Sequence, residues 1–161
     1  MLKPIYRFAA AITFLFVAAG AWAQAPSPYG APVSIENAKK AAAAAVAEAR
    51  KNNWTMAFAI TDPAGQLVYF EKMDGTQNGS VNVAIGKARA AALFRRPTKA
   101  FRDRLASGGA GLEVLGLEGA VPLDGGLPLI VEGKIVGGIG VSGGAGDQDP
   151  QCAKAGADAI K

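Results

Sequence analysis

The sequence predicts an α+β domain built on an antiparallel sheet with helices on both faces. Three observations point there. Two turn signals join strand-like runs into hairpins, at Asp62-Pro63-Ala64-Gly65 and at Glu132-Gly133. Alanine-rich stripes at helical spacing precede, separate and follow those hairpins,. No strand–helix–strand unit with two long parallel strands stands out, which argues against a parallel sheet.

The elements follow in order. Residues 1–23 have a basic start at Lys3 and Arg7, an apolar run over 8–19 and a small-x-small site at Ala21-Trp22-Ala23. They are expected to be a secretory signal peptide cleaved after Ala23, giving a secreted or periplasmic protein. The run is too short for an ordinary membrane span of roughly 20 residues, so no membrane association is expected after cleavage. Residues 24–33 hold Pro26, Pro28 and Pro32 with Ser and Gly and read as a flexible lead,. Ser34 is a candidate N-cap for a helix whose stripe is Ile35, Ala38, Ala42, Ala45, Val46 and Ala49, stopping at Asn52-Asn53,.

Trp54, Met56, Phe58 and Ile60 alternate along a first strand,. Asp62-Pro63-Ala64-Gly65 has the residues of a type I turn. A second strand over 67–71 places Tyr69 on one face and Val68 and Phe70 on the other. A polar loop from Met73 leads to Ser80, the expected cap of a helix reaching about Phe94,. Arg95 and Arg96 suit the negative end of that helix. Pro97 ends it, and Thr98 can cap a short helix with Phe101 and Leu105 inward. Residues 107–119 are glycine-rich, and a short strand is expected over 120–123. Residues 127–131 and 134–141 form the second hairpin, and a last helix runs over about 149–159,.

Composition removes several chemistries. Without Lys3 and Arg7 there are 15 basic against 13 acidic residues, scattered along the chain, so nucleic acid is not an expected partner,. The sequence contains no histidine, which excludes Ser-His-Asp and Cys-His catalysis and histidine ligation of zinc or haem by this chain,. The single cysteine, Cys152, cannot form an internal disulfide and reads as a small buried apolar residue,. No CxxC, HExxH or Walker loop occurs, and no metal site is expected,.

Two motif look-alikes share one tract. Gly138-Ile139-Gly140-Val141-Ser142-Gly143 matches the dinucleotide fingerprint, but its strand belongs to a hairpin and no second parallel strand follows,. Gly140-Val141-Ser142-Gly143-Gly144 matches the nucleophile elbow, which needs the missing histidine,. Close packing against a helix or a neighbouring subunit is the expected reason for these glycines. Lys87, on the border of its helix's apolar stripe, is either a snorkelling surface lysine or a cation at a pocket rim that holds a carboxylate.

The chain resembles the GlcG/HbpS family of haem-binding or haem-degrading proteins, which is related to the C-terminal domain of PduO-type corrinoid proteins. The resemblance rests on the order of four segments. These are Thr61-Asp62-Pro63-Ala64-Gly65 with Lys72-Met73-Asp74-Gly75, the helix carrying Lys87-Ala88 and Phe94-Arg95-Arg96-Pro97-Thr98, Gly125-Gly126-Leu127-Pro128, and Val136 to Gly143 leading to Asp149, Ala153, Ala155 and Gly156. It implies a single domain over 34–161, a profilin-like three-layer α/β/α sandwich with about five strands. It also implies a homo-oligomer, dimer-based and up to an octamer, and a small-molecule ligand, with haem as the cofactor class.

On that resemblance the ligand site falls around Met73, Asp74, Ser80, Ala84 and Lys87, at or near a subunit interface. Tyr69, Met73 or a lysine is the candidate haem ligand, and Lys87 or Arg95 the partner of its carboxylates. Three functions stay open: sequestration of haem or a related acidic ligand, an enzyme acting on a small organic acid through Lys87 with Asp74 or Asp62, and a structural oligomer without ligand.

Overall fold

The computed structural model describes residues 26–161. The expected signal peptide lies outside the described residues. Helix α1 (Ile35–Lys51) starts where Ser34, in extended conformation, accepts a hydrogen bond from the Asn37 amide at 3.2 Å. It stops where Asn53 turns left-handed (φ 59°) and the Trp54 amide closes on the Ala49 carbonyl. Its buried face is Ala38, Ala41, Ala42, Ala45, Val46 and Ala49, while Ile35 in the first turn stays half exposed.

Strands β1 (Ala57–Thr61), β2 (Leu67–Lys72), β3 (Gly126–Val131) and β4 (Lys134–Ser142) form one antiparallel sheet in the order β2-β1-β4-β3. Both expected hairpins are present. Gly65 has φ 76°, and the Asp62 carboxylate accepts from the Gln66 amide at 2.8 Å across the first turn. Glu132 and Gly133 both have positive φ, the conformation that a tight two-residue hairpin turn requires,. Pro128 sits in β3, an edge strand, where a missing N–H costs little,.

The sheet has four strands, not about five. The strand expected over 120–123 is absent: the Ala120 amide is spent on the Leu117 carbonyl in a turn, and Pro122 has no N–H to offer a ladder,. The open side of β4 is met instead by the lead. Tyr29 forms a parallel bridge with Ile135, and the amides of Gly30, Val33 and Ile135 close 2.8 Å bonds with it. Residues 28–33 are therefore tied to the sheet, which corrects the expectation of a flexible lead for that stretch. A second correction concerns Val68. The β1–β2 register skips it in a bulge, so Val68 and Tyr69 both pack toward the α1 side and Phe70 toward the other.

Helices lie on both faces. α1 and α4 (Gln148–Asp158) cover one, over Met56, Phe58, Ile60, Leu129, Ile139 and Val141. Each such side chain contributes roughly 1.5–3 kcal/mol on burial, so most hydrophobic stabilisation lies here. Helix α2 (Ser80–Leu93) covers the other face through Ala57, Ala59, Ala84 and Ala88. That layer is thin by construction. A β carbon on Gly138 would stand 2.2 Å from the Ala88 carbonyl oxygen, and one on Gly140 2.1 Å from that of Ala84. The glycines of the fingerprint look-alike serve close packing of α2 on β4. Helix α3 (Lys99–Ala106) and the 3-10 helix Gly109–Gly116 extend this side, with Phe101 and Val114 buried against Ala90. Among the described residues no helix is long and apolar enough to cross a membrane.

Candidate functional site

Because Gly138 and Gly140 present only backbone to α2, Lys87 on the third turn of α2 reaches the far end of β4. Its side chain is 3 % exposed. The ammonium donates to the Val141 carbonyl at 2.9 Å and to the Asp149 carboxylate at 2.7 Å. Lys87 is thus neither of the two things its spacing allowed, a snorkelling surface lysine or a cation on the rim. It is a buried, paired charge at the floor of a cleft.

Asp149 lies in the first turn of α4, where a carboxylate is favoured by the helix dipole,. Its other oxygen accepts from the Gly144 amide at 2.8 Å. Gly125, at φ 106°, closes the wall: a β carbon there would fall 2.7 Å from the Asp149 β carbon and 3.1 Å from the Lys87 nitrogen. Gly126 and Thr98 hold this wall by a reciprocal pair, Thr98 amide to Gly126 carbonyl at 3.0 Å and Gly126 amide to Thr98 hydroxyl at 2.9 Å.

The cleft has a volume of about 420 Å³, within the range of small-molecule sites,. Val83 and Leu123 supply apolar wall, and Gln77 and Ser142 supply neutral polar groups. A second ion pair, Arg102 to Asp124 at 3.2 Å, stands at the mouth, with the Arg102 side chain 43 % exposed. An ammonium has three donors, and two acceptors meet that of Lys87 among the described residues,. One buried and one exposed cation therefore line the same cleft, each paired with a carboxylate.

The expected site residues do not share one cavity. Lys87 lines this cleft, and Ser80 sits behind it, buried, its hydroxyl oxygen accepting from Gln77 at 3.1 Å. Ala84 is fully buried beneath Gly140. Met73 and Asp74 line a separate depression of about 320 Å³ with Arg50 and Glu71. Tyr69 donates to Glu71 at 3.2 Å; partial burial, then that carboxylate, push its phenol above the usual range. Arg95, at φ 53°, lies 5.4 Å over the Tyr29 ring. Asp62 is occupied in its turn. The carboxylate beside Lys87 is Asp149, not Asp74 or Asp62.

Asp149, Arg102, Asp124 and Gln77 escape sequence reasoning. Asp149 is 62 positions from Lys87, and no local spacing joins them. Its place in the last segment of the family resemblance is the one signal that touches it. Cys152 is fully buried, and burial together with Glu48 and Asp149 pushes its thiol up to about 12. No group of three or more His, Cys, Asp or Glu among the described residues is placed to hold a metal ion.

Residues 33–158 match the family model described as haem degrading protein HbpS-like. Protein GlcG of Escherichia coli K12 is 38% identical over 110 residues, 68% of this chain and 81% of that protein. Among solved structures, a double mutant of HbpS from Streptomyces reticuli superposes with a TM-score of 0.75 at 31% identity, covering 98% of this chain and 99% of that one. A PduOC:heme complex superposes with a TM-score of 0.73 at 28% identity, covering 81% and 96%.

Proposed function

This chain belongs to the HbpS-like family of haem-degrading proteins, and on that premise we propose that it is an exported, oligomeric binding protein for haem or a related carboxylate-bearing tetrapyrrole. The observation that carries this reading is the cleft itself: a buried ammonium with a donor to spare, facing an apolar wall, in a fold that a relative uses in complex with heme. Export is supported by the signal-like residues 1–23,. Assembly from dimers is supported by the family resemblance.

Such a ligand has three parts, and the residues fit two of them. Its flat apolar ring suits Val83 and Leu123, and its carboxylates suit Lys87 and Arg102, charged donors that make the stronger class of hydrogen bond,. Its metal finds no partner in the cleft. The usual haem ligands are histidine, cysteine, methionine and tyrosine. The sequence has no histidine, Cys152 is buried with its thiol pushed up to about 12, and Met73 and Tyr69 lie toward the α1 side. An ammonium held against Asp149 has no lone pair to give,.

Adding hemin to the exported protein tests the reading. A saturable change in the visible spectrum supports it, and an unchanged spectrum at excess hemin overturns it. Light scattering of the same sample reports assembly, and N-terminal sequencing reports whether the chain begins at Gln24.

One observation favours a second reading. Lys87 and Asp149 form a proton-carrying pair beside Ser142, the equipment for general acid–base work on a small organic acid. Turnover of such an acid that disappears in Lys87→Met while the fold is retained would favour it over sequestration.

A further inference from the structure

Resting on the ligand class proposed above, we infer that the cleft recognises its ligand by ring and carboxylates and not by metal, so that it takes a metal-free tetrapyrrole dicarboxylate as readily as haem. Every charged donor that lines the cleft is built to hold an anion. Lys87 is fixed by the Val141 carbonyl and Asp149, which point its ammonium and spend two of its three donors. Arg102 pairs with Asp124 at 3.2 Å and, at 3.6 Å, with Asp103, on a fork of five donors that leaves others for a ligand,. Gln77 and Ser142 add neutral hydrogen bonding.

The groups that could bind a metal are elsewhere or disarmed. Met73 shares its depression with Arg50, Glu71 and Asp74, and Tyr69 is bonded to Glu71. Cys152 is sealed in the core between α1 and α4. A site that held haem through its iron would discriminate strongly against the iron-free ring. A site that holds carboxylates discriminates against their esters instead, because buried charges would be left without partners.

The test titrates the intact protein with hemin, protoporphyrin IX and protoporphyrin IX dimethyl ester, following ligand absorbance and fluorescence. Hemin and the free-base porphyrin are expected to bind within about threefold of each other, and the diester at least about tenfold more weakly, the scale of one charged hydrogen bond. Arg102→Gln, a change at an exposed side chain that leaves the core intact, is expected to weaken both acids by the same factor, about tenfold. Met73→Leu and Tyr69→Phe are expected to change neither. Binding of hemin but not of the free-base porphyrin overturns the inference while leaving the proposed function standing. A selective loss of hemin in Met73→Leu or Tyr69→Phe overturns it in the same way. Binding of none of the three overturns both.

Discussion

The Lys87 ammonium and the Asp149 carboxylate meet at 2.7 Å in a site that leaves the lysine 3 % exposed, tying α2 to α4 across the end of β4. Removing either partner strands the other charge with little water around it. Lys87→Met and Asp149→Leu are each expected to lower unfolding stability by about 3–5 kcal/mol in urea titrations. The double variant is expected to recover much of that loss, because an apolar pair of similar volume leaves no charge behind. Additive losses would show that the two residues do not act as a pair.

Gly140→Ala tests the thin layer between sheet and helix. Its β carbon would fall 2.1 Å from a backbone oxygen, which no side-chain rotation relieves. A loss of about 3 kcal/mol is expected. Gly133→Ala is the control, since Gly133 has φ 74° with open space around it. Backbone strain alone costs about 1 kcal/mol there. Equal losses in thermal or urea unfolding would contradict close packing as the role of Gly140.

Cys152 gives a pH prediction with a definite sign. Its thiol is pushed from 9.0 to about 12 in the folded protein, first by burial and then by Glu48 and Asp149. Below pH 9 both states hold the proton and the residue is neutral toward stability. Between pH 9 and 12 the unfolded chain releases its proton while the folded one keeps it, so stability falls as pH rises,. Cys152→Ala is expected to flatten that part of the stability profile. In the native protein at pH 8 the thiol is expected to resist a disulfide reagent until denaturant is added.

Tyr29 pins the lead. Its hydroxyl donates to the Leu93 carbonyl at 2.8 Å, and its ring sits under the Arg95 guanidinium. Tyr29→Ala is expected to cost about 1 kcal/mol, and to make residues 26–33 the first site cut in limited proteolysis. Unchanged cleavage would mean that the backbone bonds to β4 hold the lead unaided.

What was legible in the sequence was local. The two hairpins are written in turn residues whose φ preferences act over four positions, Asp62-Pro63-Ala64-Gly65 and Glu132-Gly133, and both formed. Helix α1 announces itself by Ser34 and by its alanines. What was not legible depended on distant parts of the chain. Tyr29 bridges to Ile135 because β4 outruns β1, a mismatch of strand lengths that no window reveals. Residues 120–123 have an apolar look, but the Ala120 amide is spent in a turn and Pro122 brings no donor to a ladder,. For the site, adjacency along the chain misled: Met73 and Asp74 precede α2 but line a depression with Arg50 of α1, while the real partner of Lys87 arrives from α4.

Gly138 and Gly140 give the ammonium of Lys87 its depth. With no side chains between α2 and β4, the helix axis is seated by backbone touching backbone, and the lysine projects from that seat on a four-carbon stem,. A single methyl group in the seam would act as a shim, tilting the helix and swinging the far end of the stem out of line with Val141 and Asp149. On the proposed function, affinity for a ligand in the cleft would be tuned by residues that the ligand does not meet. Substitution in this chain has room at the exposed mouth of the cleft, and almost none along this bare strip of strand.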